Sequence, residues 1–246
     1  MKNTSTVRRY HVWCLAVRLT VFALLVWYAV TDHAAFLQDL TVPRLFSPVT
    51  AAWGLLMLSM VLRLFPSREE GLGCQKLYAR NFRPTGAVPS RQEIRTADRG
   101  AVRVALLWCA ANVPFLLAYW AGWLSAAAMV CLAGFYGVCD IICILFYCPF
   151  QRWLMHQRCC TTCRIYDWDH LMLCTPLLVL PGLLPRTACL LAALLFLRWE
   201  VTYRRRQERF FESSNAALRC ADCPDQLCRY KRLLAAKIRK HPIQRP

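Results

Sequence analysis

Long apolar runs recur along this chain, and they constrain its fold more than any other feature. A helix needs roughly 20 mostly apolar residues to cross about 30 Å of hydrocarbon. Runs of this kind extend from Val12 to Val30, Pro48 to Phe65, Val104 to Trp123 and Ala126 to Tyr147. Two shorter ones, His170 to Leu184 and Thr187 to Tyr203, meet at Pro185-Arg186. The chain is 57% hydrophobic and only 18% charged, where a soluble domain carries about 25% charge. One soluble core could not hide that much apolar side chain. The expected fold class is an all-α integral membrane protein with about six transmembrane helices.

The last two runs are short for a crossing. At about 1.5 Å per residue the fifth reaches across only if it begins near Tyr166. The pair is therefore two short spans or a re-entrant hairpin, and either returns the chain to the side it left. The basic start at Arg8 and Arg9 raises the question of a signal peptide. Arg18 interrupts that apolar stretch, and Trp27 with Tyr28 reads as an interfacial belt, so a retained span is expected.

Orientation follows from the basic loops, which stay in the cytoplasm. The expected organisation is a first transmembrane hairpin over 1–65, a cytoplasmic helical linker over 66–103 and a second hairpin over 104–147. A cytoplasmic Cys-rich loop over 148–169, a third hairpin over 170–203 and a basic tail over 204–246 follow. Both termini are then cytoplasmic. Lys and Arg number 31 against 14 Asp and Glu, for a net charge of +17. That excess fits orientation and attraction to anionic lipid headgroups. No nucleic-acid-binding motif accompanies it, so nucleic acid is not an expected partner.

The linker holds two capping-box patterns, Ser67-x-x-Glu70 and Ser90-x-x-Glu93. The second predicts a helix from Arg91 running into the third span, after a loop over Asn81 to Pro89. In the tail, Leu227, Tyr230, Leu234 and Ile238 recur at helical spacing, which predicts an amphipathic helix from Asp225 to Lys240.

The chain has 15 cysteines. Cys14, Cys109, Cys131, Cys139, Cys143, Cys174 and Cys189 fall within apolar runs, where cysteine is a small packing residue. Cys148, Cys159, Cys160 and Cys163, then Cys220, Cys223 and Cys228, form two clusters in segments expected to be cytoplasmic. A reducing compartment disfavours stable disulfides, and clustered thiols there bind metal or do redox work. Cys160-x-x-Cys163 and Cys220-x-x-Cys223 have the spacing that lets two sulfurs face one ion at about 2.3 Å. Two such pairs would complete a four-thiolate zinc site and clip the tail to the loop before the fifth run. Cys159, Cys148, Cys228 and His156 are further ligand candidates. The Cys148-Pro149 and Cys223-Pro224 steps leave an iron–sulfur cluster open as an alternative, and free thiols are a third option.

The run Cys163-Arg-Ile-Tyr166-x-Trp168-Asp169 resembles segments of bacterial multi-pass membrane proteins, and no family or activity is carried over from it; a bacterial cytoplasmic membrane is the expected location. Asp169 and His170 read as a helix N-cap and an interface anchor, or as acid and base beside a reactive thiol. Asp140 and Arg18 lie at similar depth inside the fourth and first runs, about 10 Å from the cytoplasmic edge. Ionisable residues there are functional candidates. They pair with each other, or Arg18 snorkels outward while Asp140 meets Arg63 or Arg198.

Three functions fit. The first is a multi-pass membrane protein whose cysteines bind a structural metal and organise a docking surface for a cytoplasmic protein. The second is a membrane oxidoreductase with an iron–sulfur cluster or cycling thiols. The third is a small transporter using Asp140. No catalytic set is assigned, and a non-enzymatic role is expected.

Overall fold

The fold comes from a computed structural model that describes residues 4–65, 74–157 and 162–219. Among the described residues every regular element is helical. The one pairing of extended backbone among them is an antiparallel bridge between Pro84 and Asn215. The α-helices are α1 (Thr4–Thr31), α2 (His33–Thr41), α3 (Pro48–Leu64), α4 (Arg91–Trp120), α5 (Ala126–Leu145), α6 (Asp169–Cys174) and α7 (Leu183–Arg205).

Among the described residues three helices are long and apolar enough to cross a membrane: α1 over Arg9–Thr31, α4 and α5. Helix α3 is apolar but has 17 residues, and α7 has 23 but carries Arg198 and Glu200 in its length. Large apolar side chains such as Trp13, Trp27, Val30, Leu106, Leu190 and Leu194 lie on the outside of the bundle. In water such a surface would aggregate, whereas lipid accepts it at no cost.

The helix ends follow local chemistry. Ser90 and Glu93 form the expected capping box at α4: Glu93 N–H donates to Ser90 Oγ at 3.1 Å, and Ser90 N–H to Glu93 Oε2 at 2.7 Å. That backbone bond from Ser90 holds the Glu93 carboxyl below its ordinary pKa. Helix α4 then runs unbroken through Pro114, so the linker helix and the third apolar run are one element. Ser47 and Ser125 cap α3 and α5 by accepting from Thr50 N–H and Ala128 N–H.

Two expectations need correction. The fifth run is not one helix. Its α-helical part ends at Cys174, a 3-10 stretch covers Thr175–Val179, and Leu180 is extended. Pro176 and Pro181 explain this. Neither has an N–H to continue an α-helix, and Pro181 biases its predecessor away from helical backbone. The turn is also not at Pro185-Arg186. It falls before α7, which begins at Leu183 after Gly182 (φ +110°). Pro185 sits in the first turn of α7, where a missing N–H breaks no helical bond. A further helix, α2, lies between the first two apolar runs. Asp32 caps it, accepting from Ala35 N–H at 3.0 Å.

Within α2, Asp39 is fully buried. It takes Arg44 Nε at 2.5 Å and Tyr28 Oη at 2.8 Å. Burial pushes the Asp39 carboxyl up, but the bonds from Arg44, Tyr28 and Ser47 outweigh it and hold it below its ordinary pKa. The opposite end is a basal layer. There Leu77, Val104, Met155, Cys163, Trp168, Trp199, Tyr203 and Phe210 share one buried cluster. It joins both sides of the cysteine loop to α4, α7 and the segment after α7.

Gly182 gives a direct test of the observed turn. A Cβ there would lie 2.4 Å from Leu40 O and would have to adopt a positive φ. Gly182→Ala should lower stability by about 1–3 kcal/mol, read as an earlier thermal transition in detergent. Gly86→Ala is the control, since it shares the positive φ but meets nothing within 4 Å.

Candidate functional site

A cleft of about 420 Å³ opens between α1, α3, α5 and α6. Most of its wall is apolar, with Val21, Phe22, Leu25, Trp53 and Leu56 facing it. One end is polar and holds Arg18, Ser59, Arg63, Asp140, Asp169 and His170. The size is ordinary for a small-molecule site, and few polar groups set in an apolar wall is the usual make-up of one.

The polar end is built from helix-borne side chains. Arg18 Nη1 meets Asp140 Oδ2 at 2.7 Å and donates to Gly137 O at 2.6 Å. The two residues lie on facing helices, α1 and α5. Their charges cancel in a low-dielectric setting where either alone would be costly.

Arg63, in the last turn of α3, grips the loop before α6. Its guanidinium takes Asp169 with two nitrogens, at 2.8 Å to each oxygen, and reaches Asp167 Oδ1 at 3.2 Å. Arg198 of α7 donates to Arg63 O at 2.9 Å and Leu64 O at 2.5 Å. These are carbonyls that the end of α3 leaves without helical partners. So neither Arg63 nor Arg198 is the partner of Asp140.

Asp169 is not an N-cap. Trp168 occupies that position without a side-chain bond, and Asp169 is the first residue of α6. Besides Arg63, its Oδ1 accepts from His170 N–H at 2.9 Å and lies 3.0 Å from His170 Nδ1. The other ring nitrogen, Nε2, lies 3.1 Å from Ser59 Oγ on α3. His170 is 3% exposed. It is a buried link between two helices, not a surface anchor. Asn112 is likewise enclosed, donating to Trp108 O and accepting from Tyr136 Oη.

The cysteine positions divide. Cys159, Cys160, Cys220, Cys223 and Cys228 lie outside the described residues. Cys163 is buried in the basal cluster, and Leu218 packs against that same cluster. Cys148 lies before the single π-turn Phe150–Leu154, where its Sγ accepts from Gln151 N–H at 3.4 Å. His156 is exposed at φ +50°. Arg164 N–H donates to Gln157 Oε1 at 3.2 Å, which closes the two ends of the Cys160–Cys163 loop on each other. Among the described residues no group of three or more His, Cys, Asp and Glu is placed to hold a metal.

The sequence reading missed Ser59, Arg63 as the carboxylate clamp, and Glu200. Arg164 forms a two-pronged pair with Glu200 at 2.6 and 2.7 Å, and Trp168 Nε1 adds a bond to Glu200 Oε1 at 2.8 Å. The available signal was the same for all three: a polar residue inside an apolar run.

The class defined by these features is a chain whose described residues are helical, with three helices among them long and apolar enough to span a membrane, and with an apolar cleft that is polar at one end. No family model, no curated protein and no solved structure matches the chain.

The Arg18–Asp140 pair predicts a signed coupling. Asp140→Leu strands a guanidinium, so it should cost more stability than the double variant Arg18→Leu/Asp140→Leu. A thermal double-mutant cycle in detergent should give a favourable coupling of about 1–3 kcal/mol. Additive effects would mean that the pair contributes nothing.

Proposed function

We propose that this is a multi-pass membrane protein whose cysteine clusters hold a structural metal at its basal layer and thereby organise a docking surface for a cytoplasmic protein. The spans would be six, with α6 and its 3-10 continuation forming a short hairpin with α7. Both termini would face the cytoplasm of a bacterial cell, where the basic loops meet anionic headgroups. Zinc bound by Cys160, Cys163, Cys220 and Cys223 is the preferred form. Cys148, Cys159 and Cys228 are nearby reserves.

One observation carries this reading. Cys163 and Leu218 pack into the same basal cluster, so the chain is drawn to one place just before Cys220 begins the second cluster. Asn215 holds that approach. It is fully buried, donating to Lys76 O at 3.1 Å and Arg209 O at 2.9 Å while accepting from Arg83 N–H at 3.2 Å. Ala216 N–H adds a bond to Arg83 O at 2.9 Å. Two Cys-x-x-Cys pairs started from one anchored layer meet at little entropic cost, because most of the loop closure is already made.

The test is proteolysis of the tail in inverted membrane vesicles. The tail should resist cleavage as purified and become at least about tenfold more sensitive with a zinc chelator, or in Cys160→Ser or Cys163→Ser, because metal binding free energy is folding free energy. Unchanged protection in both variants would refute the clip. Inaccessibility of the tail in inverted vesicles would refute the orientation.

A further inference from the structure

The polar end of the cleft contains a second chemistry that the cysteines do not touch. We propose that Ser59, His170 and Asp169 form a serine-nucleophile site that hydrolyses an acyl ester lying in the bilayer, with the acyl chain in the apolar cleft.

The geometry is a relay of three groups. Asp169 Oδ1 lies 3.0 Å from His170 Nδ1. An ionised carboxylate only accepts, so Nδ1 carries the proton. That tautomer leaves the Nε2 lone pair facing Ser59 Oγ at 3.1 Å. A nucleophile within hydrogen-bond reach of a base, and the base held by a third group, is the signature of an activated hydroxyl. Asp169 is itself fixed by the two-pronged grip of Arg63. It can therefore orient the ring and stabilise an imidazolium without taking its proton.

Ser59, His170 and Asp169 all line the cleft. Ser59 sits on α3 one turn before Arg63, so a cation stands on the same helix face as the hydroxyl. Negative charge developing on a substrate carbonyl oxygen would form beside it. From Ser59 back to Val49 the cleft wall along α3 runs about 15 Å at 1.5 Å per residue, room for an acyl chain of about ten to twelve carbons. The Ser59 hydroxyl also lies 2.7 Å from Leu56 O, so its one proton goes either to that carbonyl or to His170 Nε2, and the second orientation is the reactive one.

The reaction balances on this chain and water alone. Ser59 Oγ bonds to the acyl carbon while its proton passes to His170 Nε2. The ester C–O bond breaks, and the alcohol leaves with that proton. Water then attacks the acyl-Ser59 ester, giving up a proton through His170. The fatty acid departs and the Ser59 hydroxyl is restored. No metal or redox partner is required.

The experiment uses the full chain in detergent with a long-chain alkyl fluorophosphonate, which traps an activated serine covalently. Peptide mass spectrometry should find the adduct on Ser59, and Ser59→Ala should abolish it while the protein still unfolds cooperatively, at a temperature lowered only by the lost bond to His170. His170→Gln should slow labelling by about 100-fold or more, the usual contribution of a general base. The same protein should release p-nitrophenol from the decanoate ester faster than from the acetate ester. Folded, monodisperse protein with no adduct on Ser59, under conditions that fully label a known serine hydrolase, would overturn the proposal. An adduct on another serine would overturn it equally.

Discussion

Two arginines at the basal end of the bundle hold the structure together. Arg63 closes on Asp169 and Asp167, and Arg164 closes on Glu200. Both guanidinium groups are largely withdrawn from water, where an unpaired charge would cost several kcal/mol. Pairing is therefore obligatory, and the planar fork of arginine makes it directional. The acidic partners lie at the start of α6, just before it, and on α7. Each pair thus fixes the short segment 162–170 against helices that are far away in sequence. Arg164 also lies 3.7 Å over the Tyr203 ring, and Trp199 Nε1 donates to Arg164 O at 2.7 Å. The arginine is thus packed against α7, with Asp98 of α4 at 3.7 Å on another side.

That single segment serves two regions of the molecule. Towards the bundle, fixing Asp169 by Arg63 aims His170 at Ser59 and builds the polar end of the cleft. Away from the bundle, fixing Arg164 sets Cys163 in the basal cluster beside the chain that returns after α7. Loss of either arginine would loosen both. The Arg18–Asp140 pair does a smaller job, joining α1 to α5 along the other wall of the cleft.

Much of this was legible in the sequence, and the part that was not has a physical reason. The starts of α3, α4 and α5 were readable because Ser47, Ser90 and Ser125 precede apolar runs, and serine there satisfies helix N–H groups. The break in the fifth run was marked by Pro176 and Pro181. The turn was misplaced because Pro185-Arg186 looked like the polar interruption, while Gly182 supplied the required backbone. Arg18 and Asp140 stood out as charges in apolar runs. Ser59 did not, because one hydroxyl in a helix is usually satisfied by its own backbone. Its meeting with His170 joins residues 111 positions apart, and no local pattern encodes that. The same holds for Arg164 with Glu200, which are 36 positions apart.

The central claim is that the basal layer brings the two cysteine clusters together around one ion. Elemental analysis of protein purified without oxygen, beside the Cys160/Cys163/Cys220/Cys223→Ser variant, tests it most directly. The account predicts about one zinc per chain in the wild type and none in the variant, as four thiolates complete one tetrahedral site. Zinc retained in the variant, iron with sulfide in place of zinc, or no metal in the wild type would contradict it.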